Sequence, residues 1–184
     1  PLSTDWIPVT FEIDPGEQPL VWQFERLSSY PPDGTGQAWI DELSVVPIPN
    51  RPYLQEAVDN DEYAIYSTDW EKFDMAGAEN GSVAKSGDVP NGGRSTMMLE
   101  VQGPAVVSFD WGVISDTDYP SNLQFDIDGS RYVIEGTQDL HSRSFNLRPG
   151  LRRLKFEFNS NYNTPEDYGG SLAGYVDKLE ISAY

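Results

Sequence analysis

The sequence predicts an all-β protein, an antiparallel β-sandwich of the jelly-roll type. Apolar and polar residues alternate in short runs along most of the 184-residue chain, as in VTFEI and LVWQFE. Pro-Gly and Asp-Gly turns separate many of these runs, and the chain contains 16 glycines and 14 prolines. Only one short window, LQEAVDNDEY, is helix-like. The strands must therefore bury their apolar faces against other strands.

The C-terminal two-thirds of the chain contains seven alternating runs, each of which predicts a strand. In chain order they are TMMLEV, AVVSFDWGVI, LQFDID, RYVIEG, RSFNL, RRLKFEF and YVDKLEIS. QGPA, DGS and RPG predict the tight turns between them. The N-terminal third offers about three more strands, which would be marginal alone. Because their apolar faces need cover, we expect them to pack on the complete domain or on a partner chain.

The chain contains two copies of one sequence unit. TDWIPVTFEIDPGEQPLVWQFER aligns with QDLHSRSFNLRPGLRRLKFEFNS, and GQAWIDELSVV aligns with AGYVDKLEISA. The proline-rich VPIPNRPY lies just after the first copy, and proline interrupts strand pairing. We therefore predict that residues 1–48 are the C-terminal part of a preceding repeat and that residues 49–184 are a complete repeat. In each closing motif, AWIDEL and GYVDKL, we expect the aromatic residue and the leucine to face the core.

The composition excludes several classes of partner. Thirty acidic and 12 basic residues give a net charge of −18. Such a charge repels nucleic acids and anionic membranes, disfavours strongly anionic polysaccharides and attracts divalent cations. Cysteine is absent, so there are no disulfides or thiolate metal sites. No apolar run is long enough to span a membrane, and no signal peptide is visible. The opening PLSTDW suggests a piece of a longer polypeptide.

Four segments carry a resemblance to a known repeat. They are LQEAVDN, SGDVPNGGRSTMMLEVQGPAVVSFDWGVIS, LQFDIDG, and RPGLRRLKFEFNSN followed by AGYVDKLEI. Their order and spacing resemble a jelly-roll repeat of large secreted bacterial proteins, which is similar in outline to MAM domains and concanavalin-like carbohydrate-binding modules. The likeness extends over residues 49–184 and, for its last third, over residues 1–48. It departs from the repeat where Lys178 replaces the second acid of the closing motif. It implies an accessory role in a secreted or cell-surface bacterial protein, beside hydrolases, peptidases or adhesive regions.

The resemblance also implies a structural calcium between the two ends of the sandwich. The matching residues are Glu56, with Asp59 or Asp61, and Asp177 on the last strand. Asp41 would have the role of Asp177 in the preceding repeat. The alternative is that Asp177 orders a loop by accepting backbone N–H bonds. FDIDGS is a hairpin turn rather than a metal loop, since it lacks the acid at position 12 of a calcium loop.

The sequence does not predict an enzyme. His141 is the only histidine and lies at the start of a predicted strand, where an exposed side chain is the simpler interpretation than a catalytic base. No metalloprotease, P-loop or dinucleotide motif is present. Thirty acidic residues form many accidental pairs, none of which identifies a glycosidase.

Aromatic residues in polar loops predict a glycan-binding surface instead. They are Tyr119 in SDTDYPSN, Tyr162 and Tyr168 beside Asn163 in NSNYNTPEDYGG, and Trp70 in STDWEKFD. The alternative for each tyrosine is a cover over the sandwich edge. The sequence thus supports two functions: a non-catalytic accessory module that binds carbohydrate, or a calcium-stiffened structural or adhesion repeat that makes protein contacts.

Overall fold

The computed structural model describes residues 9, 13, 20–23, 39–89, 93–115, 120–160 and 172–183. The chain divides into two compact units, residues 1–45 and 46–184. Compact units do not by themselves establish repeats, so the assignment of residues 1–48 and 49–184 to successive repeats stays a prediction.

The described residues of the second unit form one short helix and eight strands. The helix α1 (Pro52–Ala57) begins with a proline, which suits a first helical position, and buries Leu54 and Ala57. The strands are β1 (Tyr66–Ser67), β2 (Glu71–Asp74), β3 (Ser82–Lys85), β4 (Arg94–Ile114), β5 (Asn122–Ile127), β6 (Ser130–Glu135), β7 (Gln138–Asn159) and β8 (Ala173–Ala183). In the described part of the chain, no helix has the length and apolarity needed to cross a membrane.

Two long strands, β4 and β7, belong to both layers of a sandwich. All the pairings are antiparallel, in the order β2-β3-β8-β4-β7-β5-β6, and β1 also pairs with β4. The first half of β4 and the second half of β7 form one layer with β1, β5 and β6. The other halves form the second layer with β8, β3 and β2.

The core lies between these layers. The ring of Phe109, from the second layer, is 4.8 Å by centroids from the rings of both Phe125 and Phe156, from the first layer. All three side chains are buried. The predicted fold class, an antiparallel β-sandwich of jelly-roll type, is confirmed.

Two of the three predicted turns are wrong. QGPA and RPG lie inside β4 and β7, where Gly103 pairs with Gly150 and the register shifts before Ala105. The two strands pass from one layer to the other here, and their backbones come very close. A Cβ on Gly103 would lie 2.1 Å from the Arg148 carbonyl oxygen, so only glycine fits. DGS does form the predicted turn between β5 and β6.

The closing strand β8 corrects a further expectation. Val176 and Leu179 belong to the main core, whereas Tyr175 packs with Val83 and Ala173 in a separate small cluster. Side chains alternate along a strand, so Tyr175 faces away from the main core when Val176 faces into it. Lys178, with a φ of 50°, lies where the β4–β8 register shifts, as at a β-bulge. The extra residue returns Leu179 to the core side.

Candidate functional site

Four of the predicted glycan-binding residues lie outside the described part of the chain: Tyr119, Tyr162, Asn163 and Tyr168. The stems of their loops are described. Ile114 at the end of β4 pairs with Ala173, the first residue of β8, and Asn122 at the start of β5 pairs with Asn159, the last residue of β7. The two loops that carry these residues therefore leave the sandwich at the same end.

Trp70 is not part of an exposed surface, and its assignment to the glycan site is wrong. Its side chain is only 1% exposed and belongs to the main core. The backbone N–H of Trp70 donates to Ser67 Oγ at 2.8 Å, and the backbone carbonyl of Trp70 accepts from the Tyr53 hydroxyl at 3.2 Å. STDWEKFD is not an open loop, since β2 begins directly after Trp70.

The predicted calcium ligands Asp59 and Asp177 lie together. Asp177 is 1% exposed, and its two oxygens accept from the Lys178 and Glu79 backbone N–H groups at 2.8 and 3.4 Å. Burial raises the pKa of Asp177, and the charge of the neighbouring Asp59 raises it further. Asp59 Oδ1 accepts from the Asn80 amide, and Asp59 Oδ2 is buried with no hydrogen-bond partner among the described residues.

The other predicted ligands do not complete this pair. Glu56 lines the same depression as Asp59 and Asp61, but its carboxylate is 2.9 Å from Lys72 Nζ, and this hydrogen bond lowers the pKa of Glu56. Asp41 belongs to the first unit, where it accepts from the next backbone N–H. Within the described ranges, no three acidic or histidine side chains converge as a metal site.

A second candidate site lies where the sandwich is open along one side. β6 is an edge strand of the first layer, and the first half of β7 is an edge strand of the second. The rings of Tyr132 on β6 and Phe145 on β7 are in contact between these strands, with their centroids 4.6 Å apart. His141 and Arg143 precede Phe145 on β7 at intervals of two residues, so they share its face. We call these four residues, Tyr132, His141, Arg143 and Phe145, the edge surface. Tyr132 is 42% exposed and Arg143 is also exposed, while Phe145 is half-buried.

The polar groups of the edge surface differ in their partners. Trp111 Nε1 donates to His141 Nε2 at 3.0 Å, and His141 Nδ1 is 3.1 Å from the Asp139 carbonyl oxygen. These partners fit a neutral imidazole that accepts at Nε2 and donates at Nδ1. The side chain of Arg143 makes no ion pair or hydrogen bond within the described residues. Its donors are therefore free for a ligand, unlike those of Arg152, which is 3.1 Å from Asp128.

The edge surface could have been found in the sequence by comparing the two aligned copies, which differ along this strand. In the aligned N-terminal copy, the positions of His141, Arg143 and Phe145 are Ile7, Val9 and Phe11. A core-facing edge strand is thus apolar in one copy and partly polar in the other. Arg143 is exposed and stands where the aligned copy has a valine, so the sequence difference marks this position as a functional candidate.

Comparison with known proteins places the fold. No family model and no curated protein matches the chain. Among solved structures, it is similar to the secreted serine protease VesC from Vibrio cholerae, with 9% identity and a TM-score of 0.51 over 71% of this chain and 26% of VesC. At this identity the likeness concerns the fold alone, and it spans about a quarter of the VesC chain.

Two carbohydrate-binding modules are also similar, with lower scores. TmCBM61 in complex with beta-1,4-galactotriose has a TM-score of 0.42 and 9% identity over 71% of this chain and 93% of that one. The CBM22-1 xylan-binding domain from Paenibacillus barcinonensis Xyn10C has a TM-score of 0.41 and 10% identity over 64% of this chain and 84% of that one. The jelly-roll β-sandwich that the resemblance implied is confirmed by the pairing of the strands themselves.

Proposed function

We propose that residues 46–184 form a non-catalytic carbohydrate-binding module of a secreted or cell-surface protein, and that the edge surface contacts a neutral glycan. The observation that carries this proposal is the contact of the exposed Tyr132 ring with Phe145 across the two edge strands, where Arg143 of the same strand as Phe145 is exposed and has no partner among the described residues. An exposed aromatic ring together with hydrogen-bond donors that no described protein group occupies offers a ligand both an apolar face and polar contacts.

The chemistry of the edge surface suits a sugar ring. The Tyr132 ring and the rim of Phe145 offer an apolar face to the C–H groups of a pyranose, and Arg143 offers several N–H donors to its hydroxyl groups. The net charge of −18 opposes a strongly anionic polysaccharide, so the ligand is neutral. His141 lies near the end of the sandwich where loop 115–121 begins, since its partner Trp111 is close to the end of β4.

The direct test is retention on immobilised neutral and acidic polysaccharides, with Arg143→Val as the variant. Valine is the residue of the aligned copy at this position, so the variant keeps a strand-compatible side chain. We expect the wild type to be retained on a neutral glycan and the variant to bind at least tenfold more weakly, a loss of about 1.4 kcal/mol. Equal retention of both proteins would contradict the role of the edge surface. No retention of the wild type on any glycan would favour the structural or adhesion repeat.

We also propose that a calcium ion binds between Asp59 and Asp177. The support is the buried Asp59 Oδ2 without a partner among the described residues, next to a second carboxylate that is almost fully buried. A cation between the partly buried Asp59 and the buried Asp177 would offset the repulsion between the two carboxylates and the cost of burying Asp177. Calcium accepts carboxylates together with carbonyl and water oxygens, so two acidic residues are compatible with a site.

Thermal unfolding in calcium and in EDTA tests this second proposal. We expect calcium to raise the Tm of the wild type, because an ion that binds only the folded state stabilises it, and to leave Asp177→Asn unchanged. Glu56→Gln is the matched control, since Glu56 lines the same depression but is paired with Lys72, and its calcium response should persist. A wild type that does not respond to millimolar calcium would contradict the calcium site.

A further inference from the structure

Strand β6 lies at one end of the sheet and pairs only with β5 in the described part of the chain. The strand at the other end, β2, is covered, since α1 contacts it and Glu56 of α1 binds Lys72 of β2 at 2.9 Å. The unpaired edge of a strand presents backbone N–H and C=O groups that can bind another strand. The edge of β6 is therefore a place where a further strand can be added.

The usual protections of an edge strand are missing from β6. Its sequence, SRYVIE, contains no proline or glycine, and its register with β5 runs without a shift from end to end. Tyr132 and Val133 point to opposite faces of the sheet and are 42% and 48% exposed. The charged residues of the strand, Arg131 and Glu135, have opposite signs, so they repel only strands with the wrong arrangement of charges.

The turn between β5 and β6 determines which backbone groups face this edge. Asp128 and Gly129 form a two-residue turn with positive φ at both positions, and Ile127 pairs with Ser130 across it. The two residues that flank such a turn exchange backbone hydrogen bonds, and bonded and non-bonded pairs then alternate along the strands. The residues of β6 whose N–H and C=O groups face away from β5 are therefore Arg131, Val133 and Glu135.

An antiparallel pair of two β6 strands centred on Val133 matches these groups. Val133 then lies opposite Val133 of the second copy, and each Arg131 lies opposite a Glu135. All three pairs join residues whose N–H and C=O groups face the edge, so each pair can exchange two backbone hydrogen bonds. The Glu135 carbonyl already accepts from the Gln138 side chain at 2.9 Å, and its second lone pair can accept from the added strand.

Charge favours this arrangement over the other ways in which two β6 strands can pair. Residues directly opposite share a face of the sheet, so each Arg131 guanidinium lies beside a Glu135 carboxylate. Arg131 binds Asp126 through Nε and Nη2, which leaves Nη1 for a second carboxylate. A parallel pair in register would place like charges side by side, which is destabilising. An antiparallel pair shifted by two residues would lose the opposite-charge pairs.

We infer that β6 binds β6 of a second copy of this chain as an antiparallel pair centred on Val133, which joins the first layers of two molecules into one sheet. Two short strands bury little surface, so the association is weak and reversible. β6 is therefore unpaired in dilute protein, where a glycan has access to Tyr132. The inference concerns self-association and does not depend on the glycan site.

The experiment is sedimentation velocity of the complete chain over a range of concentrations. The salt concentration is about 0.15 M, where a Debye length of about 8 Å screens the repulsion between two chains of net charge −18. Glu135→Lys and Arg131→Glu each place like charges opposite one another in their own dimers. An equimolar mixture of these two variants restores both opposite-charge pairs. Loss of the exposed pair of Arg131 with Asp126 costs little stability, and circular dichroism checks that each variant is folded.

Val133→Pro tests the hydrogen-bond pattern separately from charge. Proline at this position removes an N–H that faces the free edge and none that bonds to β5, so the strand can remain in the sheet. If this variant does not fold, the two charge variants and their mixture decide the outcome alone.

We expect the wild type to form a dimer reversibly, and each of the three variants to associate at least about tenfold more weakly. The mixture of Glu135→Lys and Arg131→Glu should associate within about threefold of the wild type. A wild type that stays monomeric at every concentration would overturn the inference, as would variants that associate like the wild type or a mixture no stronger than its components. Because Glu135 is not part of the edge surface, Glu135→Lys should still be retained by the glycan that retains the wild type.

Discussion

Tyr132→Ala separates binding from stability at the edge surface. The side chain is 42% exposed, so its burial is worth only part of the 1.5–3 kcal/mol of a fully buried apolar side chain. Its ring contact with Phe145 adds about 0.5–1.5 kcal/mol. We therefore expect a loss of about 2 kcal/mol in the free energy of unfolding, which leaves a domain of ordinary stability folded. If Tyr132 is the main contact to a glycan, the same change should weaken binding by about 2 kcal/mol, or roughly thirtyfold.

The assay is isothermal titration with the glycan that retains the wild type, paired with urea unfolding. Tyr66→Ala is the matched control, because Tyr66 is 38% exposed and lies on β1, at the opposite edge of the same layer. It should lose some stability and no affinity. Tyr132→Phe keeps the ring and should bind within about threefold of the wild type, a difference of less than about 1 kcal/mol. Unchanged affinity in a folded Tyr132→Ala protein would refute the reasoning.

Three further predictions concern stability. Phe109→Ala removes the ring that joins the two layers and should cost about 3–5 kcal/mol, lowering the Tm by roughly 10–20 °C in calorimetry; a shift of only a few degrees would mean that the layers do not depend on it. Burial raises the pKa of Asp177, so in calcium-free buffer the contribution of this group to stability is fully present below its unfolded pKa and is lost as the pH rises through its folded pKa. Urea titrations from pH 3 to pH 7 should therefore show a smaller decline in the free energy of unfolding for Asp177→Asn than for the wild type. Parallel curves for the two proteins would contradict this. Burial also raises the pKa of Tyr175, so the free energy of unfolding should fall as the pH rises above about 10. Tyr175→Phe should flatten that decline, and an equal decline in both proteins would contradict the assignment to Tyr175.

The strands were largely predictable because their apolar periodicity is strong. LQFDID and RYVIEG became β5 and β6, and the turn between them followed from Asp128 and Gly129, which both have positive φ. The continuity of β4 through Gly103 was not predictable. Glycine beside proline signals a turn in most sequences, and only the pairing of Gly103 with Gly150 on β7 keeps the strand extended.

The candidate sites were less predictable than the strands. The proximity of Asp59 and Asp177 followed from the resemblance, but the ion pair that holds Glu56 on Lys72 depends on the placement of β2 beside α1. Trp70 was assigned to an open loop because it follows Ser, Thr and Asp. Only the comparison with the aligned valine singled out Arg143. Nothing in HSRSFNL itself indicates that this segment forms an edge strand of the sandwich.

In the proposed function, a neutral glycan binds across the edge surface, on β6 and the first half of β7. Amide hydrogen exchange of the complete chain, with and without the retained glycan, locates the contact most directly. We predict slower exchange in residues 130–135 and 138–147 on binding, and no change around Tyr66 on β1. Slower exchange confined to the depression around Asp59, with residues 130–147 unchanged, would contradict the account.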